Sequence, residues 1–334
     1  MASPQVVSVD WGDVVTTTLE NRSKSLADNV KNNNALLMYL DRKGPSRPVS
    51  GGREIYEELA YAENQSFMWY SGTELLNIAL NDTMTAARFG WKQCSVAVVL
   101  SGLEDIMNSG EDAMMDLIDR RVEIAEKTFE NRMSAGIYSD GTGYGGKQIG
   151  GIGLLVSKAP TSGLVGGIDR GANSWWRNLA VNSSLDTRGA VSSANIQSYF
   201  TTTTINVKRD GEGVDIIVAD NNFYTYYVQS LQAIQRIDSD GDSDDVGAGF
   251  TSLAFYGAGK KARVILDGGK NGQIPSNTAY FLNTEYLFYR PSSRRNFKVI
   301  GGDRSNINQD AIVRLMAWAG NMTASNLFMQ AVLF

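Results

Sequence analysis

The sequence predicts an α+β protein of roughly two domains, with one long helix followed by irregularly interleaved strands and helices. The 334 residues leave room for domains of about 150 residues each. A composition that is 43% hydrophobic and 20% charged is typical of a globular chain with a sizeable core. Three patterns predict this fold class. They are the alternation of apolar and charged residues near position 90, a helical apolar stripe after residue 110, and short apolar runs in the second half of the chain.

The N-terminal residues 1–45 show no strong period and mix both charge signs. We expect them to form an arm that packs on another surface, such as a neighbouring subunit, with room for a helix within 14–40. The prolines at positions 45 and 48 end any such helix, because proline clashes with the preceding turn and lacks a donor.

Residues 46–100 have the signals of extended structure. Side chains around residue 90 alternate between apolar and charged, which is the period-two pattern of a half-exposed strand, and an apolar run follows at 96–100. The aromatic-rich stretch 54–70 can supply the partner strand of a long hairpin. Such a hairpin buries little of its own surface, so we expect it to be stable only against another one. Its candidate subunit-interface residues are Phe89, Trp91 and Lys92.

One long helix is predicted after residue 108. Ser109 is a good N-cap, Asp112 follows three residues later, and Gly136 is a plausible terminator. About 26 residues at 1.5 Å each give a rod of roughly 39 Å, which can serve as the spine of a domain. The apolar positions recur at spacings of three and four: they are Met114, Leu117, Ile118, Val122, Ala125, Phe129 and Met133.

The second half mixes strands with a further helix. Glycine is dense from 141 to 153, which predicts a flexible loop between domains. Asp220 or Asn221 is positioned to cap a helix whose apolar face includes Tyr224 and Tyr227. The predicted strands are 214–218, 263–266, 280–289 and, at the apolar end, 327–334.

Catalysis is made less probable by the complete absence of histidine. Imidazole is the commonest general base and metal ligand, so histidine-dependent triads and metal sites are excluded. The single cysteine, Cys94, can form neither an internal disulfide nor a zinc site alone. Carboxylate or lysine chemistry remains open, and no cofactor is implied. The net charge of -5 argues against a dedicated nucleic-acid reader, although local contact with DNA is still allowed.

Two motifs that suggest ligand binding both depart from their patterns. Residues 141–147 fit the phosphate-loop spacing, but Gln148 replaces the Ser or Thr that reaches Mg²⁺, and a helix precedes the motif where a strand is required. The acidic run 238–245 resembles a calcium loop, but Ser243 and Gly249 occupy the positions that need glycine and glutamate. We therefore interpret them as a glycine loop and a solvated acidic loop.

A basic cluster and a tryptophan pair are the remaining candidates. Arg290, Arg294, Arg295 and Lys298 lie close together in sequence; they either face DNA or an acidic neighbour, or form a solvated loop. Trp175 and Trp176 are adjacent, and two neighbouring indoles in extended backbone cannot face one core. One is expected to pack inward while the other reaches a partner surface.

Targeting signals are not evident. The N-terminus lacks the charged and apolar regions of a signal peptide, and no apolar run is long enough to span a membrane. We expect synthesis in a cytoplasm and no membrane partner.

Several blocks of the chain, taken in order, resemble the major capsid proteins of tailed bacteriophages of the Hong Kong phage type. The resemblance covers residues 50–334, and its specificity comes from the order and spacing of the blocks. They are TAARFGWKQ (85–93), the spine at 108–136, IYSDGT (137–142), QIGG (148–151), GIDR (167–170), SWWRN (174–178), residues 220–222, SLQAIQRI (230–237) and NTAYFLNT (277–284).

This resemblance implies a tailed-phage major capsid fold of four parts. These are an N-terminal arm (1–45), an extended hairpin loop (46–100), a peripheral domain with the spine helix (101–150, completed by 276–334) and an axial domain (151–275). The glycines then become a hinge between the last two; the hinge residues are Gly141, Gly143, Gly145 and Gly146.

The function implied is a shell subunit that assembles with itself into the pentamers and hexamers of an icosahedral phage head around double-stranded DNA. A separate scaffold protein, a portal and a decoration protein are the implied partners, and the virion capsid is the implied location. A bacterial nanocompartment shell with the same fold is the structural alternative. A nucleotide-binding enzyme that uses the 141–147 loop is the alternative from another class.

Overall fold

The computed structural model describes residues 34–42, 47–103, 111–233, 252–257, 261–267, 273–305 and 311–334. The acidic run 238–245, the proposed cap Ser109 and most of the predicted arm lie outside the described residues. The helices of the described part are α1 (Ala35–Arg42), α2 (Glu111–Ile137), α3 (Gly143–Gly146), α4 (Ile152–Leu155), α5 (Ile196–Val207) and α6 (Asn221–Ala233).

The strands of the described part form two large sheets and two small hairpins. They are β1 (Ile55–Ala60), β2 (Met84–Phe89), β3 (Lys92–Ser101), β4 (Leu164–Val165), β5 (Ile168–Asp169), β6 (Leu179–Val181), β7 (Ile216–Ala219), β8 (Ser252–Tyr256), β9 (Lys261–Leu266), β10 (Ala279–Leu282), β11 (Leu287–Pro291), β12 (Lys298–Ser305), β13 (Ala311–Ala324) and β14 (Ala331–Leu333). This mixture confirms the α+β prediction.

The predicted spine helix is present as α2, which runs for 27 residues in the described part. Its stripe from Val122 to Met133 is buried, as the helical period predicts. Gly136 lies inside the helix, so the prediction that it terminates α2 is wrong. A Cβ at this position would approach Ile149 Cγ2 to 2.8 Å, so the glycine permits close packing instead.

A four-stranded antiparallel sheet lies against α2. Its central strand β13 pairs with β3 along one edge, and with β12 and then β11 along the other. Phe129 of α2 meets Phe297 edge to face at a centroid distance of 5.3 Å. The strand predicted at 96–100 is therefore part of this sheet, and its assignment to the hairpin is corrected, because β3 finds a full-length partner in β13.

The second sheet has six strands in the order β6-β14-β10-β7-β9-β8. Successive residues of β7 enter different apolar cores: Ile216 and Val218 face the core shared with α2, while Ile217 and Ala219 face α5 and α6. Both faces are covered, which explains why this strand reads as a continuous apolar run. The predicted strand 280–289 is in fact two strands, β10 and β11, which belong to different sheets.

The helix α6 begins as predicted. Asp220 Oδ1 accepts a hydrogen bond from Phe223 N at 3.0 Å, which is the N-cap contact expected of an aspartate. The most buried side chains of this helix are Phe223, Tyr227 and Ser230, so its inward face is rotated slightly from the one that the sequence suggested.

Candidate subunit-interaction site

The hairpin of β1 and β2 confirms the predicted pairing and ends in an exposed apolar tip. The strands pair antiparallel from Ile55 opposite Phe89 to Ala60 opposite Met84. In the tip, which we define as residues 61–83, Leu75, Ile78 and Leu80 are each more than 90% exposed. Large apolar side chains that are exposed in this number within one segment are typical of an interaction site. Further exposed apolar side chains of the tip are Phe67, Met68, Trp69, Tyr70 and Leu76.

The tip is also acidic. It contains Glu63, Glu74 and Asp82, and it has neither lysine nor arginine. Glu74 Oε2 accepts a hydrogen bond from Ser71 N at 3.2 Å, which closes a turn at the far end. The tip therefore combines exposed apolar area with three carboxylates, one of which, Glu63, lies 3.6 Å from Arg209 Nη2.

A buried ion pair fixes the base of the hairpin to the four-stranded sheet. Glu57 of β1 points inward between Ile55 and Leu59. Its two carboxylate oxygens accept from Arg290 Nε and Nη2, both at 2.7 Å, and Oε1 also accepts from Thr323 Oγ1 at 2.7 Å. The bidentate geometry sets orientation as well as attraction. The expectation that Arg290 belongs to an exposed basic cluster, which faces DNA or an acidic neighbour or forms a solvated loop, is therefore wrong, because Glu57 of the same chain binds its guanidinium.

The tryptophan pair strengthens the same base. Trp176 is buried and donates from Nε1 to Val165 O at 2.9 Å, whereas Trp175 is half-buried and stacks on Tyr61 with a centroid distance of 5.0 Å. The prediction that the two indoles diverge is wrong, because Ser174–Trp176 form a 3-10 turn instead of extended backbone. The two rings contact each other with centroids 5.9 Å apart, and both pack on the same apolar core. Trp176 cannot be a partner contact, because it is enclosed by its own chain. A partner contact by Trp175 stays a prediction.

The other predicted interface residues have different surroundings. Phe89 is only 4% exposed and lies against Gly166, which contradicts its assignment to a subunit interface. Trp91 is half-buried and donates from Nε1 to Gly52 O at 2.9 Å. Lys92 donates from Nζ to Gly146 O, so it joins the start of β3 to the glycine turn.

Three of the predicted basic residues remain at the surface. Arg294, Arg295 and Lys298 are exposed in and beside the turn between β11 and β12. Arg295 donates to the Gln93 side chain at 3.2 Å. Their contact with DNA or with a neighbour stays a prediction.

The glycine-rich stretch makes a tight turn and then a close packing contact. Gly141, Gly145 and Gly146 have positive φ values, and so does the exposed Tyr144. Gly151 differs: a Cβ there would come within 2.5 Å of the Gly136 carbonyl oxygen. The turn follows a helix and precedes the four-residue α4, which is not the strand–loop–helix context of a phosphate loop. The hinge role of Gly141, Gly143, Gly145 and Gly146 is still a prediction.

A buried acid joins α2 to the six-stranded sheet. Asp267, directly after β9, accepts from the Tyr138 hydroxyl at the end of α2. Burial raises the pKa of the Asp267 carboxyl, and burial followed by the nearby carboxylate holds the pKa of Tyr138 well above its ordinary value. Burial also raises the pKa of Tyr280, which stacks over Tyr138, to about 12. The cluster links helix and sheet.

Across the described residues there is no group of three His, Cys, Asp or Glu side chains that could hold a metal ion. None of the helices described here has the length and apolar character needed to cross a bilayer.

Known structures of the same architecture are found by comparison of the fold. The cyanophage A-1(L) capsid asymmetric unit matches 86% of this chain and 90% of its own, with a TM-score of 0.59 and 13% identity. The chain has the fold of phage capsid proteins. The capsid of a native GTA particle (TM-score 0.53) and a Mycobacterium phage Bobi structure (TM-score 0.51) each match 88% of this chain and 89% of their own, at 11% identity. Neither a protein-family model nor a curated protein matches the sequence.

The anchor of the capsid-fold hairpin was not predicted from sequence. Glu57 occupies an inward position between two apolar residues, and this alternation was the available signal. The partner residues Arg290 and Thr323 are more than 230 positions away. Nothing local in the sequence pairs them with β1.

Proposed function

We propose that this chain is a major capsid protein, the repeated subunit of an icosahedral phage head, with a structural and not a catalytic role. The observation that carries the proposal is the capsid fold over most of the chain, combined with an apolar hairpin tip that the described residues leave exposed. Pentamers and hexamers that enclose double-stranded DNA are the assembly we infer. The virion capsid is the location, after synthesis in the cytoplasm of a bacterial host.

The proposed division of the subunit follows its two apolar cores. The core shared by α2, the hairpin base and the four-stranded sheet corresponds to a peripheral domain. The core beneath α5 and α6 corresponds to an axial domain that includes the six-stranded sheet. The segments 279–282 and 331–333 then belong with the axial sheet and not with the peripheral domain.

The partners we propose are other copies of the chain, a separate scaffold, a portal and a decoration protein, together with packaged DNA held without sequence preference. Arg294, Arg295 and Lys298 are the surface cations offered for DNA or an acidic neighbour. Many modest contacts, each below the size of a permanent interface, can sum to a stable shell when every subunit repeats them.

Electron microscopy of the purified full chain, alone and co-expressed with candidate scaffold genes, tests this proposal. We expect closed particles, or rings of five and six subunits, at micromolar protein concentration. A protein that stays monomeric under all these conditions, measured by analytical ultracentrifugation, would overturn the proposal.

A further inference from the structure

A groove of about 450 Å³ opens between the first half of β3, the second half of α2 and the glycine turn that carries α3. We name it the β3–α2 groove. Its volume is in the range of sites that bind small molecules. Val96, Phe129 and Met133 belong to its apolar wall. Cys94 Sγ lies 3.9 Å from Met133 Sδ, so the strand and the helix meet along the middle of the groove.

The two ends of the groove differ in charge. The glycine turn lies against the last part of α2, where Ile149 contacts Gly136. Lys92 donates from Nζ to Gly146 O at this end, and Lys147 is exposed beside it. The apolar residues named above lie farther along β3 and α2, and Arg132 is the third cation that lines the groove. None of the described residues that line it is an aspartate or glutamate.

A buried donor without an acceptor lies at the cationic end. Trp318 is 1% exposed, and its Nε1–H has no acceptor in the described part of the chain. Trp318 is paired with Cys94, and Gly320 is paired with Lys92. A Cβ at Gly320 would come within 2.6 Å of Trp318 Cζ2, which is two bonds from Nε1. The edge of the indole that carries the N–H therefore leans toward the position of Lys92.

These features define the ligand by its chemistry. Buried donors are nearly always satisfied, so a donor left over beside an open groove indicates that a bound molecule supplies the acceptor. Cations around that donor favour an anionic acceptor, and the apolar wall favours an apolar body. We propose that the β3–α2 groove binds a linear amphipathic carboxylate, with its carboxylate at the cationic end and its acyl chain between β3 and α2. This site belongs to the single subunit and does not depend on the proposed shell function.

The length of the groove favours a chain of medium length. From residue 92 to residue 96, four steps of about 3.3 Å along β3 span roughly 13 Å. From residue 128 to residue 136, eight steps of about 1.5 Å along α2 span roughly 12 Å. With bonds of about 1.5 Å at tetrahedral angles, an extended decanoate is also roughly 12 Å long. Decanoate is therefore the probe that we choose.

Calorimetric titration of the full-length, unassembled protein tests the site, with decanoate kept below the concentration at which it forms micelles. We expect one decanoate per chain with a dissociation constant below about 1 mM. Decyltrimethylammonium, which has the same chain and the opposite charge, should bind at least about tenfold more weakly, because it meets three cations.

Three variants locate the binding. Trp318→Phe keeps an aromatic ring but removes the N–H, and it should weaken decanoate binding roughly tenfold, as expected for a hydrogen bond to a charged group. Lys147→Gln changes an exposed side chain, so it leaves the core intact, and it should weaken binding about threefold or more. Arg120→Gln, an exposed change on α2 outside the groove, is the matched control and should bind like wild type. Thermal melting of each variant checks that it is folded.

The outcomes are distinct. Absence of saturable binding up to about 10 mM decanoate would overturn the proposal, since such an affinity is too weak for a built site. Equal affinity for decyltrimethylammonium would also overturn it, because the cations would then have no role. Unchanged affinity in both Trp318→Phe and Lys147→Gln would place any binding elsewhere. Particle formation is measured separately, so none of these results bears on the shell function.

Protection of Cys94 gives a second measurement. This thiol is exposed, lines the middle of the groove and is the only cysteine of the chain. Saturating decanoate should slow its alkylation by N-ethylmaleimide at least about fivefold, measured by mass spectrometry at constant pH, because a bound chain covers the sulfur. The same concentration of decyltrimethylammonium should leave the rate unchanged. An alkylation rate that decanoate does not alter would contradict a chain lying between β3 and α2.

Discussion

The Glu57–Arg290 pair at the hairpin base can be tested by removing one charge at a time. The two side chains are only 7% and 13% exposed, so water cannot replace a lost partner. Glu57→Gln keeps the size and one acceptor oxygen, but it leaves the Arg290 guanidinium buried without its counter-ion. Removing one member of a buried pair costs about 3–5 kcal/mol. Because glutamine preserves part of the hydrogen bonding, we expect a loss near the lower end, about 3 kcal/mol in the free energy of unfolding.

The assay is urea unfolding of the unassembled subunit, followed by circular dichroism and by tryptophan fluorescence. Glu58→Gln is the matched control, since it makes the same chemical change on the next, outward-facing position of β1; it should stay within about 0.5 kcal/mol of wild type. The double variant Glu57→Gln/Arg290→Gln should lose less than the sum of the two single variants, because the charges depend on each other. If Glu57→Gln unfolds at the same midpoint and slope as Glu58→Gln, the anchor does not hold the hairpin base.

Three further changes test other parts of the fold. Gly151→Ala should lower the free energy of unfolding by roughly 1–3 kcal/mol, because its Cβ would meet backbone oxygen, whereas Gly51→Ala has open space and should be near neutral by thermal melting. Trp175→Ala removes the stack on Tyr61; it should cost about 1 kcal/mol and speed limited proteolysis of the hairpin, measured by mass spectrometry, and unchanged cleavage would argue against that contact. The raised pKa of Asp267 means that the folded state binds this proton more tightly than the unfolded state, so its stabilising contribution is present below the ordinary aspartate pKa and is lost as pH rises through the folded value. Asp267→Asn should flatten the dependence of unfolding on pH in that window, and an unaltered pH profile would exclude Asp267 as the titrating group.

The local sequence pattern was sufficient to predict those elements whose deciding contacts are made between residues close together in the chain. The spine stripe from Val122 to Met133 repeats over about three turns, and Asp220 caps its helix through a contact three residues away. The pairing of β1 with β2 also followed from alternation near residue 90 and from the aromatic-rich stretch 54–70. In each case, the residues that decide the structure lie near one another in sequence or share a strong period.

Long-range partners explain the errors. The strand at 92–101 reads as a continuation of the hairpin until β13, more than 200 residues later, supplies a partner along its whole length. The sequence places Arg290 in a basic surface cluster, because its partner Glu57 lies on the distant strand β1. The spacing of residues in the sequence does not show contacts between distant segments. The residue types therefore identified the basic cluster at 290–298, but they did not show that Arg290 is its buried member.

The hairpin of β1 and β2 has an exposed apolar tip on a base that is held by many contacts. Three kinds of contact hold the hairpin base. They are the pairing of residues 55–60 with 84–89, the bidentate ion pair of Glu57 with Arg290, and the stack of Tyr61 on Trp175. The tip is held by exposed polar contacts: the turn bond from Ser71 to Glu74, and bonds across the hairpin from Asn81 Nδ2 to Asn64 Oδ1 at 3.1 Å and from Asn77 Nδ2 to Gln65 O at 3.4 Å. Acidic residues among the exposed apolar side chains oppose contact between one tip and another, since like charges would meet. We therefore expect the hydrophobic area of the tip to favour association, and its negative charge to favour a basic surface as the partner. An uncharged tip of equal apolar area would be expected to associate with itself, and this makes the absence of lysine and arginine from 61–83 as informative as the presence of its aromatic residues.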